Sequence, residues 1–466
     1  MTTGFPLSTA AILVLALLSA VAPLATDMYL PAFLAMSEHL GAGAASIQVT
    51  LTAFLAGLAI GQLLIGPLSD RYGRRRPLVI GTVLAIVSSM LCALAPDVGG
   101  LIAWRFLQGL GGAAGVVLAR AVIADTTRNA AAAARLFQVM MIIGGLAPVL
   151  APIVGTGIVA LAGWRAVFVV LAGLSIVSLL GVWRCIDETL PEERRTAGGV
   201  KALFASMGQV LTGRIYLGYT LTTGFTFMVL FGYIAASPFV FQGILGLSPV
   251  AYSAAFGANA IGIALVSALS ARWVGRVPPQ RLVAIGVGVN LLATLAVLAC
   301  VATGAGAALM LPCVFAAVAS VGMTIGNASA LAIAEAPRAA GSASAMLGAL
   351  QFLLGALAAP LVGLGGKDTA MPMALTMVAS AVLAVLSFTL LARRWFLIGV
   401  KRDAFACRHN WHHDARRGDC RRWYWGAGLC TGADPRRATG PGAGAVDPPG
   451  RGGGGHPVGA QCGPGA

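Results

Sequence analysis

Asp27 is the one formally charged side chain between Met1 and Ala35, in the stretch "ATDMYLPA" (25–32). A low-dielectric surrounding disfavours the charged form of a carboxylate. A carboxyl group so placed suits taking up and giving back protons. Pro31 follows four residues later and has no N–H to bond the carbonyl of Asp27. A helix should therefore bend or unwind at the carboxylate, and backbone of that kind is tolerated at membrane depth only beside a cavity or inside protein. Two placements fit the sequence. Counted from Leu7, Asp27 lies about 30 Å along a helix, which suits a hydrated outer rim. If the helix continues toward Met36, Asp27 is drawn inward.

Arg105 is a second ionisable residue in an apolar run, "WRFLQGLGGAAG" (104–115). Intramembrane cations are costly and mark function by default. It could tune a carboxylate, hold the fold by hydrogen bonds, or snorkel to the outer interface. Aromatics gather at Phe225, Phe227, Phe231 and Tyr233. With Tyr29 and Phe256 they could line a pocket for a flat, greasy substrate, or simply pack. Asn259, Asn327 and Gln351 are candidate polar groups for the same cavity. Hydrolytic or metal chemistry is disfavoured, because all histidines but His39 fall in the C-terminal tail. No clustered nucleophile, base or ligand set is visible. No metal and no cofactor are expected.

The elements that position these groups follow from composition. The 466 residues are 58% hydrophobic and only 10% charged, against roughly 25% charged in soluble domains. Apolar runs of about 20 residues, the length of a membrane helix, recur at 8–30, 45–69, 77–95, 100–123, 136–159, 164–184, 214–236, 249–271, 281–301, 304–328, 342–364 and 371–392. This predicts an all-α polytopic membrane protein with twelve transmembrane helices. The net charge of +15 does not imply nucleic acid. Alternate loops carry "DRYGRRR" (70–76), Arg128 with Arg135, "EERRTAGGVK" (192–201), "RWVGRVPPQR" (272–281), Arg338 and "ARR" (392–394), whereas the intervening loops carry Arg165 and Lys367. Basic loops face the cytoplasm, so both termini are expected there. The lipid bilayer is the expected surrounding, in a bacterial inner membrane.

The chain divides into an N-terminal six-helix half (1–184), a cytoplasmic linker (185–213), a C-terminal half (214–395) and a disordered Gly/Pro/Arg-rich tail (396–466). "LSDRY" (68–72) and "LSARW" (269–273) end the second helix of each half. That is the pattern of parallel repeats. Cys92, Cys185, Cys300 and Cys313 lie in or at the end of apolar runs and read as small hydrophobes.

"GPLSDRYGRRRPL" (66–78) resembles the loop signature of the major facilitator superfamily, and "WRFLQGLGGAAG" its fourth-helix signature. "GGLAPVLAPIVG" (144–155) resembles the motif of its proton-driven exporters. "TDMYLPA" is similar to the first helix of the bicyclomycin and chloramphenicol resistance branch. The likeness covers about residues 8–395. It implies proton-coupled efflux of small drug-like molecules by a monomer using alternating access. Asp27 and Arg105 would couple protons. A conformational latch would comprise Gly66, Asp70, Arg71, Gly73, Arg74 and Asp125. In it Gly66 would allow close helix approach, Gly73 a tight turn, and Asp70 would face the N-terminus of the eleventh span near Ala340. Gly144, Pro148, Pro152 and Gly155 would make the fifth span thin and bent, able to rock. Proton-coupled movement of a sugar or another metabolite is the alternative, because the loop signature is shared by importers.

Overall fold

Within hydrocarbon, backbone polar groups must be satisfied inside each segment, and the apolar runs accordingly fold as helices. The computed structural model describes residues 8–126, 130–195, 208, 211–336, 340–366 and 368–392. The first set of helices is α1 (Thr9–Asp27), α2 (Phe33–His39), α3 (Ala44–Tyr72), α4 (Arg75–Leu94), α5 (Val98–Thr126), α6 (Ala130–Ala162) and α7 (Trp164–Cys185). The second is α8 (Arg214–Ser237), α9 (Pro249–Trp273), α10 (Pro279–Ala302), α11 (Ala307–Ala334), α12 (Ala340–Gly363) and α13 (Met371–Ser387). Among the described residues no strand forms, and eleven helices, counting Thr9–His39 as one, are long and apolar enough to cross a membrane. A shorter apolar helix, Leu146–Ala162, belongs to α6. The expected tail and most of the expected linker lie outside the described residues.

Local chemistry sets several helix ends. Ser8 caps α1 by accepting from Ala11 N at 3.1 Å, and Ser248 caps α9 by accepting from Ala251 N at 3.2 Å, with Pro249 in its first turn. Gly73 and Gly275, just past α3 and α9, take φ of 86° and 96°, which L residues rarely adopt. The two "LS…" segments thus exit their helices alike. A second parallel was not evident from sequence. α1 breaks at Asp27 into a 3-10 turn over Leu30–Ala32, and α8 changes at Pro238 into a π turn over Pro238–Ile244. Each proline withdraws a backbone donor there.

Helices α1, α3, α4, α5 and α7 pack together, as do α8, α10, α11, α12 and α13. Between the sets, the main contacts are α3 with α12 and α6 with α9. With α1 and α2 counted as one span, the second span of each set therefore meets the fifth of the other. Glycines bring backbones close: a Cβ on Gly109 would collide with Phe54 O, and one on Gly57 with Phe106 O, so α3 and α5 touch main chain to main chain. Gly66 does not serve that purpose, because a Cβ there would meet open space. The close approach expected of it falls instead on Gly57 and Gly61, one to three turns earlier.

Candidate functional site

Asp27 ends α1, and the last regular bond there runs from Met28 N to Leu24 O at 3.0 Å. The chain then tightens, with Ala32 N donating to Tyr29 O at 3.0 Å. Protein encloses the carboxyl group: Asp27 is 4% exposed, and its Oδ1 has no hydrogen-bond partner. α6 closes over this break, since a Cβ on Gly155 would run into Met28 O. α6 stays helical through Pro148 and Pro152. The surroundings of Gly144 lie outside the described residues.

Helix α9 of the second set packs against the turn that follows Asp27, and a polar cluster lies on α8 and α9. Asn259 Nδ2 donates to Tyr233 Oη at 2.8 Å, and Tyr233 stacks on Phe256 with centroids 5.7 Å apart. Tyr252 Oη lies 3.2 Å from Ser237 Oγ. Because Tyr233 Oη accepts from Asn259, its own proton remains free to donate.

Arg105 is fully buried, yet it is not paired with Asp27. Its Nη1 donates to Gln108 Oε1 at 2.5 Å, and Gln108 Nε2 donates to Ser89 Oγ at 2.7 Å. The guanidinium lies 4.3 Å from the ring centroids of Tyr29 and Phe54 and 5.8 Å from that of Phe168. Aromatic faces, not a carboxylate, compensate its charge. The aromatic residues expected to share a pocket pack in several groups. Tyr29 packs in the first set over Arg105, near Phe33, Phe168 and Thr50. Half-buried Phe227 packs on Phe231 and Phe352, with half-buried Phe225 two residues earlier on α8. Tyr233, Phe256 and Asn259 form their own cluster on α8 and α9. Asn327 is held by Ser270 and its own helix.

At the opposite end, Arg74 bonds Asp125 at 2.9 Å, Asp70 at 2.6 Å and Ser69 at 2.6 Å. Asp70 thus pairs with Arg74 within its own set. Arg71 lies over the Tyr72 ring, 5.2 Å from its centroid. A partner missed from sequence is Glu188. Its carboxylate accepts from Arg74 N at 2.8 Å and Arg75 N at 3.2 Å, satisfying the free donors and the positive dipole end of α4. The start of the expected cytoplasmic linker is therefore docked, with Ile186 and Leu190 buried. Glu188→Ala should lower the stability of the purified protein by about 1 kcal/mol, as loss of a helix cap does. Thermal unfolding in detergent would read this, and an unchanged midpoint would contradict the capping role.

Contacts between the two sets gather at the end carrying α2. Gln48 Nε2 donates to Ala235 O at 3.1 Å, and Thr52 Oγ1 to Ala356 O at 3.0 Å. Thr156 Oγ1 and Ser253 Oγ are 2.7 Å apart, and the Phe33 and Phe239 rings pack at 5.9 Å. At the other end, the hydrogen-bonded ion pairs of Arg74 stay inside the first set.

The sequence profile of the Major Facilitator Superfamily matches residues 15–360. An uncharacterized MFS-type transporter of Bacillus subtilis, YdgK, is 38% identical over 376 residues, covering 80% of this chain and 93% of that protein. The bicyclomycin resistance protein homolog of Haemophilus influenzae is 30% identical over 383 residues, covering 82% and 96%. The solved structure of a bacterial homolog of the human lysosomal transporter Spinster superposes with a TM-score of 0.65 at 18% identity, covering 83% of this chain and 97% of that chain. At that identity it bears on the fold alone.

Proposed function

Because this chain belongs to the major facilitator superfamily, whose members are transporters and not enzymes, we propose that it exports small drug-like molecules in exchange for protons. The observation that carries this reading is Asp27, a carboxyl group enclosed by protein, unpartnered at Oδ1, and set at the break of the first helix. The likeness to a bicyclomycin resistance homolog supports a drug-like substrate. The bacterial relatives support a bacterial inner membrane protein and the superfamily a monomer, and the distribution of basic loops supports cytoplasmic termini.

With that orientation, the end sealed by Gln48, Thr52, Thr156 and Phe33 is external, and the structure is closed outward. Asp27 meets the cytoplasm protonated, and substrate entering from there displaces the proton; the bared carboxylate then takes the Tyr233 O–H and ties α1 to α8. The halves then rock, Arg74 re-partners, and Asp70 meets the start of α12 beyond residues 337–339, which lie outside the described residues. External protons next discharge the substrate and allow the return. Gly155 and the small residues of α6 keep this helix against the Asp27 break throughout the cycle. Arg105 positions Tyr29, and through it the residues next to Asp27.

Efflux from inverted vesicles with an imposed pH gradient tests the reading: dye or phenicol accumulation should follow the gradient and vanish with a protonophore. Gradient-independent movement would overturn it. Tyr233→Phe keeps the ring stacked on Phe256 and deletes the donor. A hydrogen bond to a charged group is worth about 1.5–3 kcal/mol, so coupled transport should fall about tenfold or more. Its pH dependence should shift as well, which a packing defect would not cause. Wild-type rate and pH profile in Tyr233→Phe would remove Tyr233 from the coupling role.

A further inference from the structure

Cys300 and Cys313 face each other across the hairpin of α10 and α11, with sulfurs 3.9 Å apart. Both are free thiols, and neither takes part in the transport site. The hairpin holds them in register from two sides. At the tip, Ala305 N donates to Cys300 O at 2.8 Å, fixing the turn over Thr303 and Gly304. Deeper in, Asn290 Nδ2 donates to Ala317 O at 2.8 Å and to Ser320 Oγ at 3.0 Å. A disulfide needs sulfurs about 2.0 Å apart, so side-chain rotation with a small shift of α11 must close the gap. Cys300 is buried and Cys313 half-buried, so a reagent reaches Cys313 first.

The far ends of this hairpin carry Arg276, Arg281 and Arg338. The positive-inside rule thus puts the tip outside, where compartments are oxidising. We propose that Cys300 and Cys313 form a dithiol site at the outer end of the second half, which a small external disulfide converts into a staple across the hairpin. The Cys313 thiolate attacks one sulfur of the reagent, forming a mixed disulfide and expelling one thiol. The Cys300 thiolate then attacks Cys313 Sγ and expels the second. The two thiol protons end on the two released thiols, so the protein is oxidised by two electrons and the reagent reduced by two.

The test treats intact cells expressing the full chain with oxidised glutathione, which stays outside, or with membrane-permeant dithiodipyridine. Free thiols are then blocked with N-ethylmaleimide under denaturing conditions. One tryptic peptide, running from Leu282 to Arg338, carries both cysteines. Both reagents should yield it lighter by two hydrogens and free of maleimide, with two labels gained only after reduction. Two maleimide labels after both reagents would overturn the site, and closure by the permeant reagent alone would overturn its outer placement. Oxidised wild type should also unfold at a higher temperature than Cys313→Ser treated in the same way, and equal midpoints would overturn the staple. Asp27→Asn should close the same disulfide, so failure here is distinguishable from failure of the transport reading.

Discussion

Asp27→Asn should abolish proton-driven accumulation of substrate while leaving a folded, inserted protein. Asparagine matches the carboxyl group in shape but cannot exchange a proton. Asp27 Oδ1 has no hydrogen-bond partner to lose, so the cost in stability should be small. The functional cost is large. Inward movement of one proton supplies about 2.3 kcal/mol per 100 mV. At about 1.4 kcal/mol per tenfold, a neutral substrate exchanged for one proton can be driven to roughly a fiftyfold gradient per 100 mV. The variant should hold that ratio near one in vesicles with a clamped potential. A gradient equal to that of wild type would place proton coupling elsewhere.

The second large effect should come from a single methyl group on α6. Gly155→Ala puts a Cβ into the Met28 carbonyl, and backbone on both sides of that contact cannot rotate away. Overpacking of this kind costs about 1–3 kcal/mol, and here it also pushes α6 off the break that holds Asp27. Transport should be lost even where folding survives. Gly157→Ala, two residues on, is the control. Nothing lies within 4 Å of its Cβ, and replacing a helical glycine by alanine gains up to about 1 kcal/mol. It should transport normally and unfold at an equal or higher temperature. Similar behaviour of the two variants would show that the α6 contact with Met28 has no special role.

The helices were legible in the sequence because hydrocarbon leaves no other way to satisfy the backbone. Each expected span falls on a helix. Asp27 and Pro31 stood out for the same reason, being respectively costly and disruptive in an apolar run. What the sequence withheld was the choice of partner. Arg105 could have met a carboxylate, but it meets Gln108 and three rings, because α3, α5 and α7 bring Phe54, Gln108 and Phe168 to one point. Glu188 read as part of a cytoplasmic linker, since nothing local reveals that it caps α4 from more than a hundred residues away. Gly66 and Gly57 are alike as letters. Which of them touches a neighbour depends on the rotation of α3 against α5, a property of packing that motif spacing does not encode. How the aromatic residues divide into packing groups depends on helix rotation in the same way.

Substrate-evoked proton release from the purified, unbuffered protein tests the central claim most directly. Adding a transported drug to wild type should release protons as the substrate displaces them from Asp27, with the signal fading at pH high enough to empty the site beforehand. The Asp27→Asn variant should bind an uncharged drug and release none. Undiminished proton release from that variant, with coupled transport intact, would contradict the account.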